Sequence, residues 1–484
     1  MCGIGAIIHK NQNFNINKLL YEILFNLQHR GQDSSGFVIY NKLNNKTNII
    51  KEYGLVDKNM ENLINNFGSS GLGHVRYQTS GKTDSNEIQP FYNNIFDGIS
   101  LVHNGNLVNI IELNLFCSEN NIILDSTSDS EILFKIFIFY LKQNIINISD
   151  ITNSIIKNIV EKIYNLCKGS YSIIIMINNF GIIAFRDIYG IRPLVYNIED
   201  NYIAIASETI AFENYNNYRN VNNGDVIIIT NNTNNTNNLN NTNNLNNTNN
   251  LNNTNNLNIS IENICNYPLT PCLFEYIYFA RPESYINDIL VYEYREKIAK
   301  QIVKNIKNLI NKIDYIIPVP QSGIITANTI ANKINKQLKY AIIKNRYTHR
   351  TFIDRNKDKI VKKIKKIKII NKLVNNKNLL VVDDSIVRGN TSKIIVEALR
   401  NNNANNIYFV SCCPPVKYPN IYGISIPTFE ELIANKKTNK EIKKEIDVNK
   451  LYFLDLNSII KVLNRLNPKI SNFETSVFTG NYIC

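Results

Sequence analysis

Short apolar runs punctuated by glycine and asparagine fill the first 230 residues of this chain. The runs 4–8, 36–40, 99–102, 172–177 and 182–185 are each long enough for one strand, and the first extends back to Gly3. Two stretches carry a helical period instead. Leu20, Ile23, Leu24 and Leu27 recur at i, i+3, i+4 and i+7, and residues 131–141 are strongly apolar. Strands interrupted by segregated helices predict an α+β layered sandwich. From residue 265 to 470 the pattern alternates: helix over 298–310, strand over 315–319, helix over 324–334, strand over 379–382, helix over 391–399 and strand over 407–410. That alternation predicts an α/β domain with a mainly parallel, doubly wound sheet, whose ligands sit at the carboxyl ends of the strands.

Between the two patterns, residues 231–258 repeat Asn-Asn-Thr and Asn-Asn-Leu units with almost no apolar period, and are expected to be a disordered insertion. Its Asn-x-Thr triplets would matter only in a secreted protein, and nothing before Cys2 reads as a signal or transit segment. No run approaches the roughly 18 apolar residues of a membrane span. The expected location is the cytoplasm, with no membrane partner.

Bulk properties refine this only slightly. At 484 residues and 44% hydrophobic content, the chain can bury a sizeable core. The formal charge of +13 invites a nucleic-acid partner, yet much of the excess lies in residues 357–377. A basic balance reports non-specific attraction, which a phosphorylated small substrate uses equally well, so no nucleic-acid partner is expected. The eight cysteines show no C-x-x-C spacing, which suggests neither a disulfide framework nor a zinc site.

Cys2 stands apart from the other seven. A small second residue lets the initiator Met1 be removed, exposing a thiol and an α-amine on one residue. An α-amine with a reference pKa of about 7.7–8.0 serves as a general base at neutral pH without a histidine. Three further clusters suit amide hydrolysis. His103-Asn104-Gly105 follows the strand at 99–102 and offers a side-chain amide and a backbone N–H, the donors of an oxyanion hole. Arg76, in Gly73-His74-Val75-Arg76-Tyr77, can clamp a carboxylate with its planar fork. Asp129, in Ser128-Asp129-Ser130-Glu131, either caps a helix opening at 131 or receives a substrate ammonium.

These strings, with Met1-Cys2-Gly3-Ile4, Gln28-His29-Arg30-Gly31-Gln32-Asp33 and Arg186-Asp187-Ile188-Tyr189-Gly190-Ile191-Arg192-Pro193, resemble the N-terminal-nucleophile glutamine amidotransferases. The resemblance implies an αββα sandwich, a thioester on Cys2, an oxyanion hole from Asn104 and Gly105, and glutamine held by Arg76 and Asp129. His29, His74 and His103 are then structural, because the α-amine already provides the base.

In the second pattern, Leu379-Leu380-Val381-Val382-Asp383-Asp384-Ser385-Ile386-Val387-Arg388-Gly389-Asn390-Thr391 is an apolar strand, two acids and a loop of small and hydroxylated residues that opens a helix. Paired carboxylates at a strand end can take ribose hydroxyls and a hydrated Mg²⁺, and the loop N–H groups with the helix N-terminus suit a phosphate. The string resembles the phosphoribosyl-pyrophosphate signature of type I phosphoribosyltransferases. With Phe274-Glu275-Tyr276-Ile277-Tyr278-Phe279-Ala280-Arg281-Pro282-Glu283 and Lys344-Asn345-Arg346-Tyr347, the whole chain is similar to the amidophosphoribosyltransferase family.

That resemblance implies transfer of ammonia from glutamine to phosphoribosyl pyrophosphate, giving 5-phosphoribosylamine, glutamate and pyrophosphate at the first committed step of purine synthesis. It implies Mg²⁺ on Ser322, Asp383 and Asp384, substrate held by Asp383, Asp384, Ser385, Val387, Arg388, Gly389, Asn390 and Thr391, and Arg350 in a loop that closes over it. It also implies a homotetramer inhibited by purine nucleotides. The expected domains are a glutaminase at 2–230, the insertion at 231–258, a phosphoribosyltransferase at 259–470 and a tail at 471–484.

Two departures stand out. Some members carry a [4Fe–4S] cluster on four cysteines, but here only Cys272 matches, with Asn420, Glu474 and Val477 at the other positions, so no iron–sulfur cluster is expected. The closing loop after Ile353 reads Asp354-Arg355-Asn356-Lys357-Asp358-Lys359 and then alternates lysine with isoleucine, leaving Lys365, Lys366 and Lys368 as candidates for the family's loop lysine; His349 stands where the family has Gly. Two other readings bracket the main one: a glutaminase coupled to a sugar-phosphate isomerase, which the acidic pair disfavours, and a nucleotide-binding regulator, which has no use for the Cys2 set.

Overall fold

The computed structural model describes residues 2–59, 62–63, 66–77, 85–231, 257–344, 367–426 and 428–484. Two compact units emerge: one comprises Met1–Pro271, Ile421–Ser425 and Cys484, the other Cys272–Asn420 and Ile426–Ile483.

The first unit holds two antiparallel sheets. One has seven strands in the order β11-β9-β10-β1-β4-β2-β3, from β1 (Gly3–His9), β2 (Ser34–Asn41), β3 (Lys46–Tyr53), β4 (Ser70–Arg76), β9 (Val195–Ile198), β10 (Tyr202–Ala206) and β11 (Tyr218–Asn220). The other has six, β13-β12-β8-β7-β6-β5, from β5 (Phe91–Asn93), β6 (Ile99–Leu107), β7 (Gly169–Ile177), β8 (Gly181–Arg186), β12 (Asp225–Asn231) and β13 (Leu257–Asn263). Alternation along the strands builds the layers. Ile4, Ala6 and Ile8 of β1 meet Val102, Ile174, Met176, Ile182 and Ile227 in a core between the sheets. Ile7 points the other way, into a cluster with Leu20, Ile23 and Leu24 of α1 (Asn17–Asn26) and with Leu27 just past its end. The six-stranded sheet is covered on its outer face by α2 (Ile110–Glu119), α3 (Asp129–Asn144) and α4 (Asn153–Leu166), through Leu113, Leu133, Phe137, Ile156 and Ile163. The result is the αββα sandwich.

Glycine at position 5 lets α1 seat on β1. A Cβ there would stand 2.4 Å from Cγ2 of Ile23, closer than packed atoms approach. The backbone that carries Cys2 is therefore pressed between a helix and a partner strand on each side, β4 and β10.

The runs 4–8, 36–40, 172–177 and 182–185 each lie inside an observed strand. The strand at 99–102 is longer than its apolar run, because β6 stays paired with β7 as far as Leu107 opposite Gly169. His103, Asn104 and Gly105 thus belong to a strand rather than following one. The edges of the Asn-rich run also differ from a disordered segment: Asn231 and Leu257 pair across a β12–β13 hairpin, whose ladder supplies the order that composition does not. Residues 232–256 lie outside the described residues.

The second unit carries a five-stranded parallel sheet in the order Gln337–Leu338, Tyr315–Pro318, Leu379–Asp383, Ile407–Ser411, Lys450–Phe453. In chain order this is 2-1-3-4-5, a doubly wound topology whose order reverses between the first and third strands. Ligands of such sheets bind at that switch point. Asp383 ends one of the two strands there, and Ser322 lies just beyond the other. The helices Val291–Asn305, Ile324–Ile334 and Asn390–Asn401 match the expected ones, the first starting seven residues earlier than its apolar run at 298–310.

Candidate active sites

Cys2 lines a cavity of about 140 Å³ in the first unit, shared with Arg76, Glu87, Gln89, Gly105 and Asp129. The strands place these groups. β1 delivers Cys2, neighbouring β4 ends on Arg76, and β6 brings Asn104 and Gly105 from the facing sheet. Asp129 sits in the first turn of α3, where its Oδ2 accepts from Leu107 N at 3.0 Å and so ties the helix to the end of β6.

Asn104 is buried, and its Oδ1 accepts from the Cys2 nitrogen at 3.2 Å. Its Nδ2 is left buried without a hydrogen-bond partner among the described residues. A buried, unmatched N–H₂ costs about 1–3 kcal/mol unless a ligand satisfies it, so the position suits an incoming oxygen. On the other side, the Arg30 Nε donates to the Cys2 carbonyl at 2.9 Å, while Arg30 and His29 both bind the buried Glu208. This network fixes the backbone beside the thiol and ties His29 to Glu208.

Arg76 is paired with buried Glu87 at 2.5 Å, and Glu87 also accepts from the Thr127 hydroxyl at 3.0 Å. Gln89 accepts from His103 N at 2.7 Å and donates to Ser130 Oγ at 3.1 Å. His103 Nδ1 shares a 2.8 Å hydrogen bond with the same hydroxyl. His74 and His103 are both fully buried, and burial lowers both pKa values; Arg76 lowers His74 further, whereas Asp129 opposes the shift at His103. Both shifts favour the neutral ring.

Glu87, Gln89 and Glu208 escaped the reading of the sequence. Glu87 and Gln89 lie in Ser85-Asn86-Glu87-Ile88-Gln89-Pro90, which carries no pattern that separates a buried acid from a loop acid. Glu208 did carry a signal: like Asp383, it is an acid just past an apolar strand, Ile203-Ala204-Ile205-Ala206.

In the second unit, Asp383 and Asp384 are both buried at the strand end. Asp384 N donates to Asp383 Oδ1 at 2.9 Å, and the Ser322 and Ser385 hydroxyls both donate to Asp384. Burial, and then the neighbouring Asp384, push the Asp383 carboxyl well above the usual range. Residues 385–389 form the turn into the helix Asn390–Asn401, which places Asn390 and Thr391 in its first turn and Arg388 in an ion pair with Glu431. Val387 is held by its carbonyl, which accepts from Ile433 N at 3.0 Å. Arg350, His349, Lys365 and Lys366 lie outside the described residues, whereas Lys368 sits in a short strand paired with Ile342–Lys344.

Cys272 is buried and backbone-bridged to Glu474. One thiol with Asn420, Glu474 and Val477 does not fit an iron–sulfur cluster, which takes four thiolates. Among the described residues, no group of three or more His, Cys, Asp or Glu is arranged around a metal position, and no helix is long and apolar enough to cross a membrane.

Residues 74–214 match the glutamine amidotransferase domain family, and residues 291–421 match the phosphoribosyl transferase domain family. Over its whole length the chain is 36% identical to the amidophosphoribosyltransferase of Haemophilus influenzae, covering 93% of that relative. It is 37% identical to the one from Escherichia coli, covering 92% of it. A solved structure of glutamine phosphoribosylpyrophosphate amidotransferase from B. subtilis, complexed with ADP and GMP, matches with a TM-score of 0.81 at 29% identity, covering 100% of this chain and 97% of that one. Whole-chain likeness of this kind, together with the two sites, places the chain in the amidophosphoribosyltransferase family.

Proposed function

We propose that this enzyme takes ammonia from glutamine at Cys2 and transfers it to phosphoribosyl pyrophosphate, giving 5-phosphoribosylamine, glutamate and pyrophosphate. The observation that carries the reading is the Asn104 amide, whose oxygen holds the Cys2 nitrogen and whose N–H₂ lacks a partner among the described residues. Once Met1 is removed, that nitrogen is the α-amine. It takes the thiol proton as the sulfur attacks the glutamine γ-carbonyl, and returns it to the departing ammonia. The Asn104 Nδ2 and the Gly105 N–H hold the oxyanion of the tetrahedral intermediate. Water then cleaves the Cys2 thioester to glutamate. Arg76, steadied by Glu87, takes the substrate α-carboxylate, and Asp129 takes its ammonium.

In the second step ammonia bonds to C1 of the ribose as the C1–oxygen bond to pyrophosphate breaks. Asp383 and Asp384, side by side and buried, suit ribose hydroxyls and, with Ser322, a hydrated Mg²⁺ that would neutralise the charge on the departing pyrophosphate. The turn at Ser385, Val387, Arg388 and Gly389, with the first helical residues Asn390 and Thr391, suits the 5-phosphate. Arg350, assigned to substrate binding by resemblance alone, lies outside the described residues. The division into a glutaminase at 2–230, an insertion at 231–258 and a phosphoribosyltransferase at 259–470 is part of this proposal. So are a homotetramer, feedback by purine nucleotides and a cytoplasmic location; the B. subtilis neighbour complexed with ADP and GMP supports the feedback.

Glutamate and pyrophosphate are measured together from glutamine, phosphoribosyl pyrophosphate and Mg²⁺. Release in equal amounts is expected. Glutamate formed at the same rate without the sugar phosphate, or neither product, refutes the proposal.

A further inference from the structure

The pentapeptide Ile421–Ser425 follows and precedes residues of the second unit in sequence, yet it packs as part of the first. It sits on the paired ends of β6 and β7. Asn106 Nδ2 donates to the Ile421 carbonyl at 2.9 Å, and the buried Ser170 hydroxyl donates to the Tyr422 carbonyl at 2.9 Å. Tyr422 is fully buried, and its hydroxyl accepts from Cys484 N at 3.1 Å. Between these anchors Gly423 lies flat on Gly105. A Cβ at 423 would stand 3.0 Å from both the carbonyl carbon and oxygen of Gly105, and its φ of +89° is one that only glycine adopts without strain.

Gly105 is confined from other directions as well. A Cβ on it would meet the Ser170 carbonyl oxygen at 2.0 Å and His103 Nε2 at 2.7 Å. Its Cα is thus walled by β7 and by His103, and its carbonyl by Gly423. A donor to a developing oxyanion works only within a few tenths of an ångström of that charge, and removing one such donor costs about 10²–10³ in kcat.

We infer that Gly423 is a positioning residue for the glutaminase reaction: the segment Ile421–Ser425, hung on Asn106 and Ser170, buttresses Gly105 at its carbonyl and Cα and so holds the residue where its N–H meets the oxyanion. This rests on the proposed role of Gly105. Gly423 touches neither glutamine nor Cys2; its effect passes through Gly105 alone.

The test uses the full-length mature enzyme. Gly423→Ala is expected to lower kcat with glutamine about 10- to 100-fold, since the donor is displaced rather than deleted. Its KM for glutamine stays within about threefold, because Arg76 and Asp129 are untouched. Alkylation of Cys2 by iodoacetamide and turnover with free ammonia keep their wild-type rates. Ser170→Ala, which strips the Tyr422 carbonyl of its donor without forcing a side chain onto Gly105, lowers the same kcat about three- to tenfold. A folded Gly423→Ala enzyme with wild-type kcat on glutamine, or one whose alkylation and ammonia-dependent rates fall equally, overturns the inference. If Gly423→Ala does not fold, an unchanged kcat in Ser170→Ala overturns it. Failure of the underlying function shows separately, as a wild-type enzyme that releases no glutamate.

Discussion

Glu87 is the buried anion that decides how Arg76 points, so its charge should matter to binding before it matters to chemistry. Glu87→Gln keeps the shape but weakens the grip on the guanidinium and on Thr127. The expected outcome is a KM for glutamine raised about tenfold with kcat within about threefold, read from steady-state kinetics. Asn104→Ala should do the reverse: kcat falls about 10²–10³-fold while KM changes little, because its Nδ2 is needed only when the oxyanion forms. His74 makes a separate, pH-dependent prediction. Buried and neutral, it has a folded pKa below the unfolded value of about 6.5. Stability is then fully present above about pH 6.5 and is lost as pH falls toward the lowered folded value, because the unfolded chain binds a proton that the folded one refuses. The melting temperature should drop between about pH 7 and pH 5, and His74→Phe should flatten that slope. At this scale Cys2, Arg76, Asn104 and Asp129 were legible because each sits in a short string of distinctive residue types. Glu87 and Gln89 were not, because their part depends on which strands β5 and β6 bring beside them.

At the scale of elements, α1 and β1 form a joint that glycine makes possible. Gly5→Ala should destabilise the first unit by about 1–3 kcal/mol through the clash with Ile23, and Ile23→Ala in the same chain should recover part of the loss. A double-mutant cycle by thermal unfolding checks this; additive losses would mean that the two side chains do not meet. The period-2 and period-3.6 patterns predicted these elements correctly where an apolar face exists. They stopped short at β6, where His103 and Asn104 break the apolar run, because the pairing with β7 that extends the strand is non-local. The Asn-rich run misled at its edges for the same reason: Asn231 and Leu257 are ordered by each other.

Across the whole molecule, the alternation of helix and strand was enough to predict a parallel sheet, and the reversal in its 2-1-3-4-5 order explains why Asp384 and Ser322 meet. Mg²⁺ should raise the melting temperature of the second unit in the wild type by a few degrees, as any ligand of the folded state does, and should leave Asp383→Asn unmoved. Equal shifts in both would remove the acidic pair as the metal site. The segment Ile421–Ser425 was the part least visible in sequence, since nothing in Ile-Tyr-Gly-Ile-Ser says that it packs as part of the first unit.

One variant separates the ammonia made at Cys2 from the site that consumes it. Mature Cys2→Ala enzyme is assayed for pyrophosphate release from phosphoribosyl pyrophosphate and Mg²⁺, once with glutamine and once with ammonium chloride at alkaline pH. No glutamine-dependent turnover above background is expected, with ammonia-dependent turnover at about the wild-type rate. Glutamine-dependent turnover surviving in that variant, or both activities lost from a folded protein, would contradict that separation.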